Sequence, residues 1–361
     1  MMSFGSQVRV EVFGSSHGPE VGAVVTGLPA GLPLDMVRVQ QELDRRRPVG
    51  RRLATKRQEE DVLVLDSGVR DGRTDGTPVR GHVRNVDIDR SPYERLRDTP
   101  RPGHADYPAR VRYGPKADLS GGGIFSGRMT VGLVFAGAIA RQMLERKGVE
   151  LTSFTESIAG IRAFVPAEFS TSEIRKRSAE NEVGCPDPTI ARRMEDTIGE
   201  VRRTGDSLGG TIETRVTGLP TGLGEPFFDS LEGTLAHALF AVPAVKGIEF
   251  GAGFAAAAMR GSEHNDPFAW EGDHVVTVTN HSGGILGGLA TGMPLVFRVV
   301  VKPTSSIARP QQTVNLRTHE STTVVVTGRH DPCIVPRAVV VIESVTAFAL
   351  LDLMVRGGFF P

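Results

Sequence analysis

With 361 residues, 39% of them apolar, the chain has material for the core of one large domain or two ordinary ones and should fold as a globular protein. Its 42 Lys and Arg balance 42 Asp and Glu, which excludes a global field drawing it to nucleic acid or a membrane surface, so an anion site has to come from local clustering. Two distant cysteines, Cys185 and Cys333, lack the paired spacing of a disulfide framework or a zinc site and read as reduced thiols.

The chain enters alternating Gln7-Val8-Arg9-Val10-Glu11 without a basic and apolar leader, so a cytoplasmic location is expected rather than export. Strands are expected over 8–13 and 21–26, the second running into Gly27-Leu28-Pro29-Ala30-Gly31-Leu32 and a helix over 34–46. A strand over 61–66 follows, then helices over 128–146, closed by Gly148, over 172–182 and over 188–195. After a strand over 211–217 the turn recurs as Gly218-Leu219-Pro220-Thr221-Gly222-Leu223, again before a helix, over 231–240, and each copy is followed by an Asp, Asp35 or Asp229. That echo suggests two related halves. Strands over 275–280, 296–301 and 323–327 and a helix over 335–356 complete the series. The most apolar runs, 131–140 and 338–353, are too short, or too interrupted by Glu343 and Asp352, to meet the ~20 apolar residues a bilayer requires, and read as buried helices. Clustered strands and clustered helices fit α+β layers better than a strictly alternating parallel sheet.

Four stretches carry chemistry. Thr327-Gly328-Arg329-His330-Asp331-Pro332-Cys333 packs cation, imidazole and carboxylate between a turn glycine and a rigid proline, and Phe13-Gly14-Ser15-Ser16-His17-Gly18 and Arg101-Pro102-Gly103-His104-Ala105-Asp106-Tyr107 use the same vocabulary. A cation run, Arg45-Arg46-Arg47-Pro48-Val49-Gly50-Arg51-Arg52, would ordinarily be a solvated helix face, but Pro48 and Gly50 place it on a turn where guanidinium forks can converge on phosphate or carboxylate. Two glycine-rich segments accompany them. Gly121-Gly122-Gly123 leads through Ser126 and Arg128 into a helix, an arrangement suited to an anion or flavin phosphate, and Gly283 to Gly288 is followed by Lys302-Pro303-Thr304-Ser305-Ser306. Neither matches a P-loop or a dinucleotide fingerprint. Of the nine histidines, His17, His104 and His330 lie in loops suited to catalysis and the first two are natural proton donors; His264 and His281 are expected at the rim, and His82, His237, His274 and His319 elsewhere.

From about residue 4 to 353 these segments, in this order, resemble chorismate synthases. The resemblance is carried by Phe13-Gly14-x-Ser16-His17-Gly18, Asp44-Arg45-Arg46-Arg47-Pro48, the Arg101 to Tyr107 stretch, the glycine runs, Gly205-Asp206-Ser207, Gly222-Leu223-Gly224-Glu225-Pro226, Val245-Lys246-Gly247, Lys302 to Ile307 and Gly328 to Cys333. It implies the last common step of the shikimate pathway, a lyase reaction. Phosphate and a ring hydrogen leave 5-enolpyruvylshikimate 3-phosphate by anti-1,4-elimination to give chorismate, with reduced FMN required and no net redox change. It also implies roles. His17 would protonate the reduced flavin, His104 the departing phosphate, and Asp331 would assist removal of the ring proton, with Ser16 in the same catalytic group. Ser126, Ala244, Gly287, Lys302, Pro303, Thr304, Ser305, Ser306 and Arg329 would contact FMN. Arg46, Arg52, Arg101, Arg128 and Arg337 would hold substrate anions, and Arg46 and Arg52 also NADPH as an external reductant. The implied fold is α+β, one β-α-β-α sandwich domain over 1–361 with pseudo-repeated halves of about 8–150 and 205–355, helices between antiparallel sheets, assembled as a homotetramer.

Ser15 replaces the usual Glu of the first motif, Ile124-Phe125 replaces polar residues after the glycines, and Pro243 replaces an Asn beside Ala244. Two alternatives therefore stand beside the main reading. A flavin-dependent oxidoreductase is opposed by the missing dinucleotide fingerprint. A catalytically silent flavin-binding paralogue is favoured by these substitutions and opposed by intact His17, His104 and Asp331.

Overall fold

Alternating valines build the first sheet. In the computed structural model, which describes residues 2–47, 60–86, 96–114, 118, 120–326 and 330–360, strand β2 (Arg9–Gly14) buries Val10 between exposed Arg9 and Glu11, and β3 (Glu20–Thr26) buries Val21, Ala23 and Val25. They pair antiparallel from Arg9 opposite Thr26 to Gly14 opposite Val21. With β1 (Ser3–Phe4), β4 (Leu63–Ser67) and β5 (Val79–Arg84) they form an antiparallel sheet in the order β1-β2-β3-β5-β4.

The second sheet comprises β6 (Glu150–Ile158), β7 (Ile161–Arg162), β8 (Gly210–Thr217), β9 (Val245–Phe250) and β10 (Leu295–Val301). Its order is β9-β10-β8-β6-β7, again antiparallel. Apart from the two-residue edge strands both sheets follow one plan, β2-β3-β5-β4 and β6-β8-β10-β9, in which the fourth strand in chain order sits between the second and the third.

Helices fill the space between the sheets. Helices α1 (Met36–Arg46) and α2 (Asp106–Tyr113) are followed by α3 (Thr130–Glu145), which packs on β2, β3 and β5. After α4 (Thr171–Ser178), α5 (Pro188–Arg203) and α6 (Leu231–Phe240), helix α7 (Val335–Arg356) packs on β6 and β8 and crosses α3. Gly137 makes that crossing close: a β-carbon there would lie 2.4 Å from Ser344 Cα. The layers are thus sheet, helices, helices, sheet, and one contiguous apolar core runs through all four. Helix α7 has the length and composition of a membrane span, yet 94% of its most apolar window is buried in this core. Strand β6 is buried from Leu151 to Ile158 without a break because α7 covers one face and α4 packs on it as well.

The echoed turns have matching surroundings. A β-carbon on Gly27 would stand 1.9 Å from the Gln7 carbonyl oxygen and one on Gly218 2.1 Å from that of Gly148, so each turn presses on the chain entering the preceding strand. Gly31 N–H donates to Thr74 O and Gly222 N–H to Ala290 O. The capping differs: Asp35 accepts from Val37 and Arg38 N–H, whereas Ser230 rather than Asp229 caps α6 through Gly233 N–H. The helix expected over 188–195 runs on to Arg203, the one expected over 128–146 starts at Thr130 after a short turn, and the strand expected over 323–327 is Glu320–Val324. Strands β5, β6, β9 and Gln311–Asn315 were not expected.

Candidate active site

The glycine turn 121–123 is the centre of the site. A β-carbon on Gly121 would lie 2.0 Å from His17 Cε1, so only bare backbone admits that imidazole, and one on Gly122 would make a tight 3.3 Å contact with His104 Cε1 and Nε2, so the two imidazoles approach neighbouring residues of one turn. Both glycines have positive φ, 61° and 90°. His17 and Ser16 are buried, with Ser16 Oγ 3.1 Å from His17 Nδ1 and donating to Ser120 O at 3.0 Å. Ser126, whose Cβ would be 3.5 Å from a β-carbon on Gly122, caps the next turn by accepting from Arg128 N–H.

His104 sits in a charged bracket. Asp106 Oδ1 is 2.6 Å from its Nδ1, and Arg101 binds the same carboxylate with Nε at 2.7 Å and Nη2 at 2.8 Å while lying 3.0 Å from Nδ1. Burial works against an Asp106 charge, but bonds from Arg101 and His104 outweigh it and hold the carboxyl well below the usual range. Arg101 Nη1 also donates to Ser306 Oγ at 3.1 Å, and a β-carbon on Gly103 would be 3.5 Å from Ser305 Cβ and 4.0 Å from Lys302 Nζ. This joins the loop of the first half to residues 302–306 of the second. Burial, then the nearby Lys246 charge, lower the Lys302 ammonium. Ala244 O accepts from Lys302 N–H, Ser207 Oγ donates to Thr304 O, and the hairpin Gln311–Asn315/Glu320–Val324 straps the 98–100 segment through Thr313 and Leu316.

A third group binds arginines to aspartates. Arg46 Nη1 donates to Asp61 Oδ2 at 2.9 Å and its Nε to Thr130 Oγ1 at 3.0 Å, while Arg128 pairs with Asp61 Oδ1 and donates to Asn85 Oδ1 at 2.9 Å. Asn85 in turn donates to the carbonyls of Ser15 and Gly18, tying the arginines to the His17 turn. Asp61 has no exposed side-chain surface; burial pushes its carboxyl up, but Arg46 and Arg128 hold it below the ordinary value. Burial brings the Arg46 guanidinium down to about 10 despite Asp61, with Arg337 and Arg128 adding to the effect. Arg337 donates to Asp331 Oδ2 at 2.5 Å and to Arg46 O at 3.1 Å, and Leu208 N–H donates to Pro332 O, which fixes the segment after Asp331.

Most sequence-derived site residues therefore converge: Ser16, His17, Arg46, Arg101, His104, Ser126, Arg128, residues 302–306, Asp331 and Arg337. Arg52 and Arg329 lie outside the described residues. Gly287 is at the tip of a tight hairpin, and no atom stands within 4 Å of where its β-carbon would be. Arg45 belongs elsewhere, with Arg141 and Arg175 around buried Glu343. Sequence reading missed Asp61 and Asn85 and gave Asp106 no role of its own. Asp106 was visible two residues after His104, and Asp61 closes the acidic run that follows the arginines; nothing marked Asn85.

A family profile described as chorismate synthase matches residues 8–355. The chain is 47% identical over 359 residues to the chorismate synthase of Dehalococcoides mccartyi, covering 99% of this chain and 98% of that one. It is 49% identical to that of Korarchaeum cryptofilum, over 98% of this chain and 97% of the relative. A crystal structure of chorismate synthase superimposes with a TM-score of 0.76 at 28% identity, over 98% of this chain and 93% of that one.

Proposed function

The chain belongs to the chorismate synthase family, and from that premise we propose how its residues divide the reaction. The activity is a carbon–oxygen lyase step, loss of phosphate and a ring hydrogen from 5-enolpyruvylshikimate 3-phosphate to give chorismate. His104, facing the pocket across Gly122, delivers a proton to the departing phosphate. Asp331, oriented by Arg337, receives the ring proton. Buried Arg46, Arg128 and Arg101, with half-buried Arg337, hold the phosphate and two carboxylates of the substrate in a setting where such contacts are worth several kcal/mol.

The residues present fit reduced FMN. Lys302 and the hydroxyls of Thr304, Ser305 and Ser306 are the donor set a phosphate requires, Ala244 is tied to Lys302 through its carbonyl, and the open side of Gly287 leaves room for a flat ring. When bound, reduced FMN supplies electron density that assists the elimination and recovers it at the end. His17, bonded to Ser16 and seated on Gly121, holds the proton that balances the flavin's negative charge. NADPH serves as external reductant, with Arg46 and Arg52 as its contacts.

The observation that carries this reading is the glycine turn with one histidine on each of two successive residues. The test is anaerobic turnover of 5-enolpyruvylshikimate 3-phosphate with chemically reduced FMN, following chorismate absorbance and phosphate release, with a parallel reaction on oxidised FMN plus NADPH. Stoichiometric chorismate and phosphate are expected, and H104A should lose turnover while retaining FMN. Tight flavin binding without product would favour a silent paralogue, and NADPH oxidation coupled to an acceptor an oxidoreductase. We further propose one domain of two repeated halves, supported by the shared strand plan, and a homotetramer in the cytoplasm. Strong exposure of Phe227, Phe228, Phe254 and Trp270 supports association, and light scattering on the eluted protein tests it.

A further inference from the structure

We propose that Asp106 is a positioning residue for the elimination, fixing His104 as the Nδ1–H tautomer and offsetting the Arg101 charge so that Nε2 presents a proton to the departing phosphate. The inference rests on the reading of His104 as the proton donor. An ionised carboxylate only accepts hydrogen bonds. Two groups reach Nδ1, the Asp106 Oδ1 acceptor at 2.6 Å and the Arg101 Nη2 donor at 3.0 Å; the shorter contact favours the ring proton of neutral His104 on that nitrogen, and Nε2, on the side of Gly122, is then the atom that gains and loses a proton.

Arg101 makes the carboxylate necessary. Its Nη2 is 3.0 Å from Nδ1 and 3.3 Å from Nε2, so a cation touches the ring that has to become imidazolium. Asp106 answers both, binding Arg101 through Nε, Nη2 and the Arg101 N–H, and burial of Arg101 leaves little water to replace it. The other groups around His104 are few. The glycine turn presents uncharged Gly122 and Ser126, with His17 beyond Gly121; the 302–306 loop presents Ser306, bound to Arg101, and Lys302 near Gly103. Among the described residues Arg101 and Asp106 are the charges in contact with the ring, and removing Asp106 takes away the carboxylate that offsets the cation.

The experiment compares H104A, D106N, D106E and the H104A/D106N double variant in anaerobic turnover with reduced FMN from pH 6 to 9. Nitrogen-15 NMR of histidine-labelled full-length protein is recorded alongside, the His104 signals being assigned by their loss in H104A. D106N should lower kcat about 100-fold, inside the ~10²–10⁴ range of general acid catalysis, change KM little, and move the limb of the profile that follows His104 to lower pH. D106E should recover at least about tenfold of that loss, and D106N should add no further loss in the H104A background. Additive losses in the double variant, or an unchanged D106N profile, would overturn the proposal. The unmodified protein also decides it without any variant: at pH 9 the neutral His104 ring should show Nδ1–H, and an Nε2–H form there overturns the proposal. Full turnover by H104A would remove the proton-donor reading itself, whereas a dead H104A beside an unaffected D106N removes only the role of Asp106.

Discussion

Gly121→Ala isolates the placement of His17. The added β-carbon would fall 2.0 Å from Cε1, 2.2 Å from Nδ1 and 3.0 Å from Ser16 Oγ. Ordinary carbon contacts need ~3.5 Å, so the imidazole or the turn has to retreat by about 1.5 Å, far enough to break the 3.1 Å contact between His17 Nδ1 and Ser16 Oγ. The left-handed backbone of the turn, with φ 61° and ψ 17°, adds about 1–2 kcal/mol for any residue with a β-carbon. Displacement of a catalytic group by ~1 Å costs about 100-fold, so kcat should fall by roughly that factor. Gly148→Ala is the matched control: φ is 75°, no atom lies within 4 Å of its β-carbon, and it closes α3 far from the pocket. Thermal unfolding should show a small loss for Gly148→Ala and a larger one for Gly121→Ala, and anaerobic turnover a large loss for Gly121→Ala alone. Turnover by Gly121→Ala within threefold of the parent, or an equal loss in both, would refute the reasoning.

Asp61→Asn should cost about 3–5 kcal/mol, because it leaves Arg46 and Arg128 buried without their counter-ion. Asp61 is held below its ordinary value, so its contribution is complete above the unfolded value near ~4 and is lost as pH falls through the lower folded value. Urea unfolding should therefore separate the variant from the parent at pH 7 and bring them together in strong acid; a constant gap down to pH 2 would count against the pairing. Glu343→Gln should cost a similar ~3–5 kcal/mol in urea unfolding, since Arg45, Arg141 and Arg175 all bind that carboxylate; a loss under ~1 kcal/mol would contradict it. Arg337→Ala should raise KM and make it less sensitive to salt while releasing Asp331, and unchanged KM at low and high salt would place Arg337 outside the binding set. Burial pushes the Cys185 thiol up to about 11 and the Cys333 thiol up to about 12, so neither should react with a thiol reagent at pH 8 until the chain unfolds.

The sequence made legible what is written in periodic or punctuated form. Helices α6 and α7 begin and end where their patterns do, because Ser230 caps one and Pro336 opens the first turn of the other. Strand β6 was hidden by its composition. Thr152, Ser153, Thr155, Glu156 and Ser157 are polar yet buried, satisfied across the sheet and its edge by Ser153–Thr214 and Ser157–Thr211 hydroxyl pairs and by Thr155 on Val183 O. A polar run whose partners lie 28 to 61 positions away has no local signature. The same holds in the pocket. Histidines and arginines announce themselves by type and neighbours, whereas Asn85 acts through the distant carbonyls of Ser15 and Gly18 and the Arg128 guanidinium, and Asp61 through arginines on two helical segments.

Pairing of cations with carboxylates reconciles an anionic substrate with a chain of zero net charge. Arg46 and Arg128 share Asp61, Arg101 takes Asp106 and Arg337 takes Asp331. Bare guanidiniums at that depth would repel one another and lose hydration, the two effects that already bring Arg46 down to about 10. Each aspartate relieves that cost and fixes the direction of a fork, so phosphate and carboxylates meet donors ordered during folding rather than during binding. One contact type then serves three ends. Asp61 joins two arginines and no acid or base, which makes it scaffold. Asp106 joins an arginine to a histidine, which ties charge to the proton delivery proposed for His104. Asp331 is itself the group held, which suits its carboxylate to the acceptor role proposed for it. What separates scaffold from chemistry at this site is whether the pair includes a proposed proton donor or acceptor, not the residue type that holds it.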